Sequence, residues 1–204
     1  MQVDHLVYAA PDLAALADDL ASRLGVRAAG GGQHAGRGTH NTLVGLGGLT
    51  YLELIAPDPS QPEPPAPRPF GVDGVQAARF VGWAVATDDI EAAVARARAA
   101  GFDPGDVLEG QRVTPTGEVL SWRLTSNAAT GGLVPFLIDW GTTPHPAGSA
   151  PAGLVLAGLH LEHPEPAALA TPLTALGLDV DVRTGPSEAI VAQVDGPLGL
   201  VELR

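Results

Sequence analysis

A pattern of apolar strand, acidic turn, Ala/Leu-rich helix and glycine occurs three times in this chain. It reads DHLVYAAPDLAALADDLASRLGV from Asp4 to Val26, VGWAVATDDIEAAVARARAAGFD from Val81 to Asp103, and AGLHLEHPEPAALATPLTALGLDV from Ala157 to Val180. An internal repeat constrains the fold strongly, because each copy is one supersecondary unit whose apolar face must be covered by a neighbour. Leu13, Leu16, Leu20 and Leu24 recur at helical spacing and predict one buried stripe. Ile90, Val94 and Ala97 repeat it more weakly, as do Leu169, Leu173 and Leu176. Asp12, Asp88 and Glu165 stand at or near the helix starts, where free N–H groups favour carboxylates. Gly25, Gly101 and Gly177 stand where a helix ends on a left-handed residue.

Strand-like runs follow each helix. The first set is a short run near Val26 to Ala29, then Asn41 to Leu46 and Thr50 to Ala56. Gly47-Gly48 reads as a two-residue hairpin turn between the last two. The second set is Val107 to Val113, Val119 to Thr125 and Val134 to Trp140. The third is Val180 to Arg183, Ala189 to Val194 and Gly199 to Leu203. Each copy therefore reads βαβββ, and the fold class is α+β. The predicted organisation is a module over residues 1–56, a stiff Pro-rich linker over 57–79, a module over 80–140, a linker over 141–153 and a module over 154–204. Such a unit buries one sheet face under its helix. Paired units make curved, cupped mixed sheets with helices on the outer face and a ligand-sized hollow between them.

Charge removes several functions. The 204 residues carry 23 acidic and 11 basic side chains, a formal net charge of -12, and every basic residue is Arg. Phosphate backbones and anionic membrane surfaces repel such a chain, so neither nucleic acid nor membrane is an expected partner. No apolar run is long enough to span a bilayer. Met1 to Asp12 shows no basic segment followed by a long apolar core, so no secretory signal is visible and the expected location is the cytoplasm. With no Cys there is no disulfide frame, thiolate zinc site or Cys nucleophile.

Alternation along the strands nominates side chains for the hollow. His5 shares a face with Val3 and Val7, opposite to Asp4, Leu6 and Tyr8. Glu53 shares a face with Tyr51 and Ile55, opposite to Leu52 and Leu54. If the helix covers the leucines, His5 and Glu53 look inward. They supply two ligands to a divalent metal, or a general base and its partner. A strand His is also a common hydrogen-bonded core residue, and a strand Glu often pairs with Arg. The third copy repeats the pair, with His160 at the His5 position and Glu202 at the Glu53 position. The second copy places Trp83 for His5 and Leu137 near the Glu53 position. Trp83, Phe136 and Trp140 then form an aromatic wall suited to an organic ligand.

The segment GGGQHAGRGTHN, Gly30 to Asn41, lacks the Lys of a P-loop and opens no helix, which removes both phosphate fingerprints. It reads as a turn region, or as a rim loop bringing His34, Arg37, Thr39 or Asn41 to a ligand. No G-x-S-x-G nucleophile elbow occurs.

Repeated βαβββ modules with a first-strand His and a last-strand Glu resemble the vicinal oxygen chelate superfamily of glyoxalases, extradiol dioxygenases and bleomycin-resistance proteins. More narrowly, DHLVYAAPDL, GGQHAGRGTHN, YLELIAP and PFLIDW, in that order, resemble the bacterial glyoxalase-like domain family. The resemblance implies a divalent metal (Zn, Ni, Mn or Fe) held by paired modules, with His5 and Glu53 as ligands or catalytic pair. Trp83 and Leu137 depart from that pattern, so His160 and Glu202 would complete the set, from the same chain or across a homodimer. Three readings follow: a metal-dependent lyase, isomerase or dioxygenase; a metal-free binder of an apolar or cationic small molecule, with Glu53 as counter-charge; or a ligand-free structural dimer. Three or more convergent His and Glu side chains would favour the first. A single His–Glu pair beside an aromatic wall would favour the second.

Overall fold

Helix starts and ends follow the local chemistry. Asp12 accepts a hydrogen bond from the Ala15 amide at 3.0 Å and starts α1 (Leu13–Leu24), which Gly25 closes at φ 82. In the second repeat the cap is Asp89, one residue beyond the expected Asp88, accepting from the Ala92 amide at the start of α2 (Ile90–Ala99). The third helix, α3 (Ala170–Ala175), follows a 3-10 turn over Pro166–Leu169 and has no side-chain cap. Glu165 makes no cap bond there. The structure is a computed structural model that describes residues 2–114, 116–126 and 131–204.

The first two repeats form one closed sheet. The first contributes β1 (Gln2–Ala9), β2 (Ala29–His34), β3 (Thr39–Gly45) and β4 (Tyr51–Pro57). The second contributes β5 (Arg79–Ala86), β6 (Val107–Val113), β7 (Val119–Thr125) and β8 (Phe136–Asp139). Their order is β1-β4-β3-β2-β6-β7-β8-β5, closed by β5 on β1. Within each repeat the first and last strands are parallel neighbours. The seams between repeats, β1/β5 and β2/β6, are antiparallel.

The cupped sheet expected from the sequence therefore closes into a barrel, and its glycines explain how. A Cβ on Gly32 would lie 1.9 Å from the Val113 carbonyl oxygen of β6, and one on Gly31 would lie 2.1 Å from the Asn41 oxygen of β3. Only glycines let three backbones meet there. Residues Gly30 to His34 are thus strand, not rim loop, and the strand expected near Val26 to Ala29 starts at Ala29 instead. Gly47, Gly48 and Leu49 make the following connection, with Leu46 donating to the Thr50 carbonyl, so the loop is one residue longer than expected.

The third repeat keeps the chain order but not the strand order. Its strands β9 (Val155–His163), β10 (Asp181–Thr184), β11 (Ala189–Gly196) and β12 (Gly199–Leu203) form a separate sheet ordered β10-β9-β11-β12. Here the first strand pairs in parallel with the second, and the last lies two strands away.

One apolar core joins the two sheets. Leu6, Leu52 and Leu54 of the barrel meet Leu13, Leu16 and Leu20 of α1. Leu161, Ile190, Val194 and Leu203 of the second sheet belong to the same cluster. The approach is close: a Cβ on Gly196 would lie 2.5 Å from the Leu24 oxygen at the end of α1. Trp83 is fully buried in this core, with its Nε1 donating to the Leu133 carbonyl at 2.8 Å. It faces away from the barrel interior and is no part of an aromatic wall there. The interior holds a smaller cluster, including Val7, Ile55, Ala84, Phe136 and Ile138. Among the described residues no helix is long and apolar enough to cross a membrane.

Candidate functional site

Strict alternation puts Asp4 and His5 on opposite faces, but the β1/β5 register breaks between Val3 and His5 and leaves Asp4 without a partner. This bulge turns two sequence neighbours toward each other. His5 Nδ1 lies 2.7 Å from Asp4 Oδ1. The other Asp4 oxygen accepts from Trp140 Nε1 at 3.1 Å and lies 3.0 Å from His145 Nε2. Burial alone would raise the Asp4 pKa, but the hydrogen bonds from His145 and His5 outweigh it and hold it at about 2.

With Nδ1 on Asp4, the His5 Nε2 turns inward and lies 3.6 Å from Glu53 Oε2. The His5 ring stacks on Tyr51 at 4.7 Å and meets the edge of Phe136 at 5.5 Å. Glu53 Oε1 accepts from Asn41 Nδ2 at 2.5 Å and lies 3.8 Å from His34 Nε2. His34 Nδ1 is 2.9 Å from Thr39 Oγ1. Burial, with the Arg112 charge also acting, lowers the His34 pKa and keeps its ring neutral. Burial likewise holds the Tyr51 phenol well above its ordinary pKa, so it stays an O–H donor.

Asn41 joins this group to the second repeat. Its Oδ1 accepts from the Gly32 amide at 2.9 Å and from Arg112 Nη1 at 3.3 Å. Those two donors fix the amide orientation, so Nδ2 must be the atom on Glu53. Of the expected residues, His5, Glu53, His34 and Asn41 thus converge, Thr39 supports His34, and Phe136 closes the apolar side. Trp140 holds Asp4 and packs on Trp122 at 5.3 Å.

His160 and Glu202 join neither this group nor each other. His160 lies on β9, beside Glu162 and Arg183. Glu202 is exposed on β12, with β11 between. The pairing expected by repeat fails because β12 is not the neighbour of β9.

Asp4, Tyr51, Phe70, Arg112 and His145 were not expected. The bulge hid Asp4, and His145 falls in a segment that reads as linker. Arg112 had a signal: Gly32-Gln33-His34 recurs as Gly110-Gln111-Arg112, so Arg112 is the His34 of the second repeat.

The donor set does not fit a metal shared between the repeats. Aligning the caps Asp12 and Asp89 puts Gly82, not Trp83, at the His5 position. The register Val7↔Glu53 matches Ala84↔Phe136, so Phe136, not Leu137, replaces Glu53. The space over Gly82 holds the Phe70 ring, 3.5 Å from where its Cβ would be, and Phe70 in turn packs on Phe136 at 5.5 Å. In place of a second His5 and Glu53 stand Gly82, covered by the Phe70 ring, and Phe136. Three His and Glu side chains, His5, His34 and Glu53, do converge, but Asn41 Nδ2 occupies one Glu53 oxygen, and among the described residues no group of three or more His, Asp or Glu is arranged to hold a metal ion.

A family model described as "Glyoxalase-like domain" matches residues 3–177. The sequence matches none of the curated proteins. Among solved structures, a hypothetical protein from Staphylococcus aureus aligns with a TM-score of 0.65 at 15% identity, covering 98% of this chain and 83% of that one. Methylmalonyl-CoA epimerase from Streptomyces coelicolor, in complex with 2-nitronate-propionyl-CoA, aligns with a TM-score of 0.46 at 19% identity over 70% of this chain and 96% of that one. Its counterpart from Mycobacterium tuberculosis gives 0.45 at 18% identity, over 72% and 91%.

Proposed function

The chain belongs to the glyoxalase-like domain family, and on that premise we propose that its barrel interior is a metal-free binding site for a small organic molecule. The observation that carries this is one polar wall facing one apolar wall inside a single barrel. His5, His34, Asn41 and Glu53 come from the first repeat, and Phe136 with Trp122 comes from the second. Such a lining orients a ligand through a few polar atoms and takes most of its surface against apolar ones. The atoms available are His5 Nε2, Glu53 Oε2 and the Tyr51 hydroxyl, none of which makes a hydrogen bond within the described chain.

The test is a small-molecule thermal-shift screen read together with quenching of Trp122 and Trp140 fluorescence. Compounds that bind wild type and lose affinity in both His5→Ala and Phe136→Ala support the reading. Compounds that bind all three proteins alike place the site elsewhere and overturn it. Loading with zinc, nickel, manganese or iron(II) tests the metal-free part. Near-stoichiometric metal that is lost in His5→Ala/Glu53→Ala would overturn it.

A second reading, proton transfer at the bound molecule, is favoured by the Asp4–His5–Glu53 line. A His fixed by a carboxylate on Nδ1 and facing inward through Nε2 has the form of an oriented general base. Exchange of deuterium from solvent into a bound ligand, absent in His5→Gln, would support it. Equal exchange in the variant would remove it.

A further inference from the structure

We infer that Arg112 anchors an anionic group, and that the ligand of the barrel is a small organic carboxylate with an apolar or aromatic body. This rests on reading the interior as a binding site, and it names the class of molecule. Arg112 is 4% exposed and forms no ion pair within 4.0 Å among the described residues. Its one hydrogen bond is the 3.3 Å contact from Nη1 to Asn41 Oδ1. The half-buried or exposed Arg68, Arg123 and Arg204 each have carboxylate partners. The buried one does not, although buried charges are normally paired.

The remaining guanidinium donors are not sealed. Among the described residues Thr42 Oγ1 is the one fully buried side-chain oxygen or nitrogen without a hydrogen-bond partner. Arg112 Nε and Nη2 make no bond and are not among such sealed atoms, so they stay open to a small entrant. A guanidinium presents a planar fork that matches a carboxylate with two parallel bonds.

Glu53 argues against the opposite choice, a cationic ligand. Its carboxylate already receives Asn41 Nδ2 and faces His5 and His34. Glu53 Oε2 is unbonded but has His5 Nε2 3.6 Å away, whereas the Arg112 fork has one hydrogen bond and no carboxylate within 4.0 Å. Phe136, Phe70 and Trp122 line the other side and suit an apolar body.

The experiment compares benzoate, benzamide and benzylamine by calorimetry on the full chain. These share a ring and differ in charge. The expected result is benzoate binding about tenfold or more tightly than the other two, with Arg112→Gln losing about tenfold and Arg112→Lys keeping part of it. Benzamide or benzylamine binding as well as benzoate, with loss in Phe136→Ala, overturns the carboxylate while the barrel site stands. Benzoate binding that survives in a folded Arg112→Gln also overturns it. Silence from all three compounds overturns the aromatic carboxylate and leaves the barrel site to be decided by the thermal-shift screen. The wild-type comparison needs no variant, so it decides even if Arg112→Gln fails to fold.

Discussion

The barrel and the second sheet start from the same chain order and reach different neighbour relations. In the barrel the first strand of each repeat lies beside its last, β1 on β4 and β5 on β8. In the second sheet β9 lies beside β10, and β12 is two strands away. A His on a first strand and a Glu on a last strand meet only in the first arrangement. His5 and Glu53 do so, and His160 and Glu202 do not. A repeated residue pattern therefore reports shared element order, while contact depends on where the returning strand is placed.

Four predictions break or sharpen this comparison. The largest effect is expected where both sheets share a core. Trp83→Ala removes a fully buried ring and its bond to Leu133, and should cost about 3–5 kcal/mol in urea unfolding. A loss under about 1 kcal/mol would mean that the shared core is loose. Next, Gly32→Ala places a Cβ against the Val113 oxygen and should open the barrel seam alone. We expect a loss of about 2–3 kcal/mol, with amide exchange rising in β2 and β6 but not in β9 or β11. Uniform protection in both sheets would contradict it.

Acid should separate the two regions further. The Asp4 pKa falls from its ordinary 3.8 to about 2 on folding. The unfolded chain then binds the proton first, so this stabilisation is full above pH 3.8 and disappears as pH falls toward about 2. Its size is on the order of 2 kcal/mol, and Asp4→Asn should flatten that part of the stability–pH curve. A curve that keeps its slope in the variant would assign the acid sensitivity elsewhere, for example to Asp58, which also sits at about 2. The smallest effects come from a matched pair. Glu53→Gln should shift stability by about 1 kcal/mol and weaken ligand binding, while Glu202→Gln should leave both within about 0.5 kcal/mol of wild type. Equal effects would restore a role for the second sheet in binding.

Much of this was legible in the residues. Helix stripes, the Asp12 cap and three glycine ends are local signals, and local structure follows them. His5 and Glu53 were legible because alternation holds between Leu6 and Ala9 and across β4. Asp4 was not, since one bulge residue cancels alternation where it occurs. Trp83 faces the shared core and not the interior because the similarity of the strand residues is offset by one from the structural match. The caps Asp12 and Asp89 give the match that the structure follows. Arg112 lay in plain sight in the GQH/GQR recurrence, but an Arg between polar residues on a strand reads as surface until a neighbouring backbone closes over it.

Closure of the barrel has a consequence for how copies of this chain can meet. Every barrel strand has a neighbour on each side, so its backbone offers no edge to another molecule. The second sheet has two, β10 and β12. Asp181 and Arg183 place exposed charge along the first, and Glu202 does so on the second, beside exposed Leu198 and Leu200. Strand-to-strand growth between copies is thereby confined to the region that carries no part of the candidate site. A second copy adding a strand would have to do so at β10 or β12, away from His5 and Glu53.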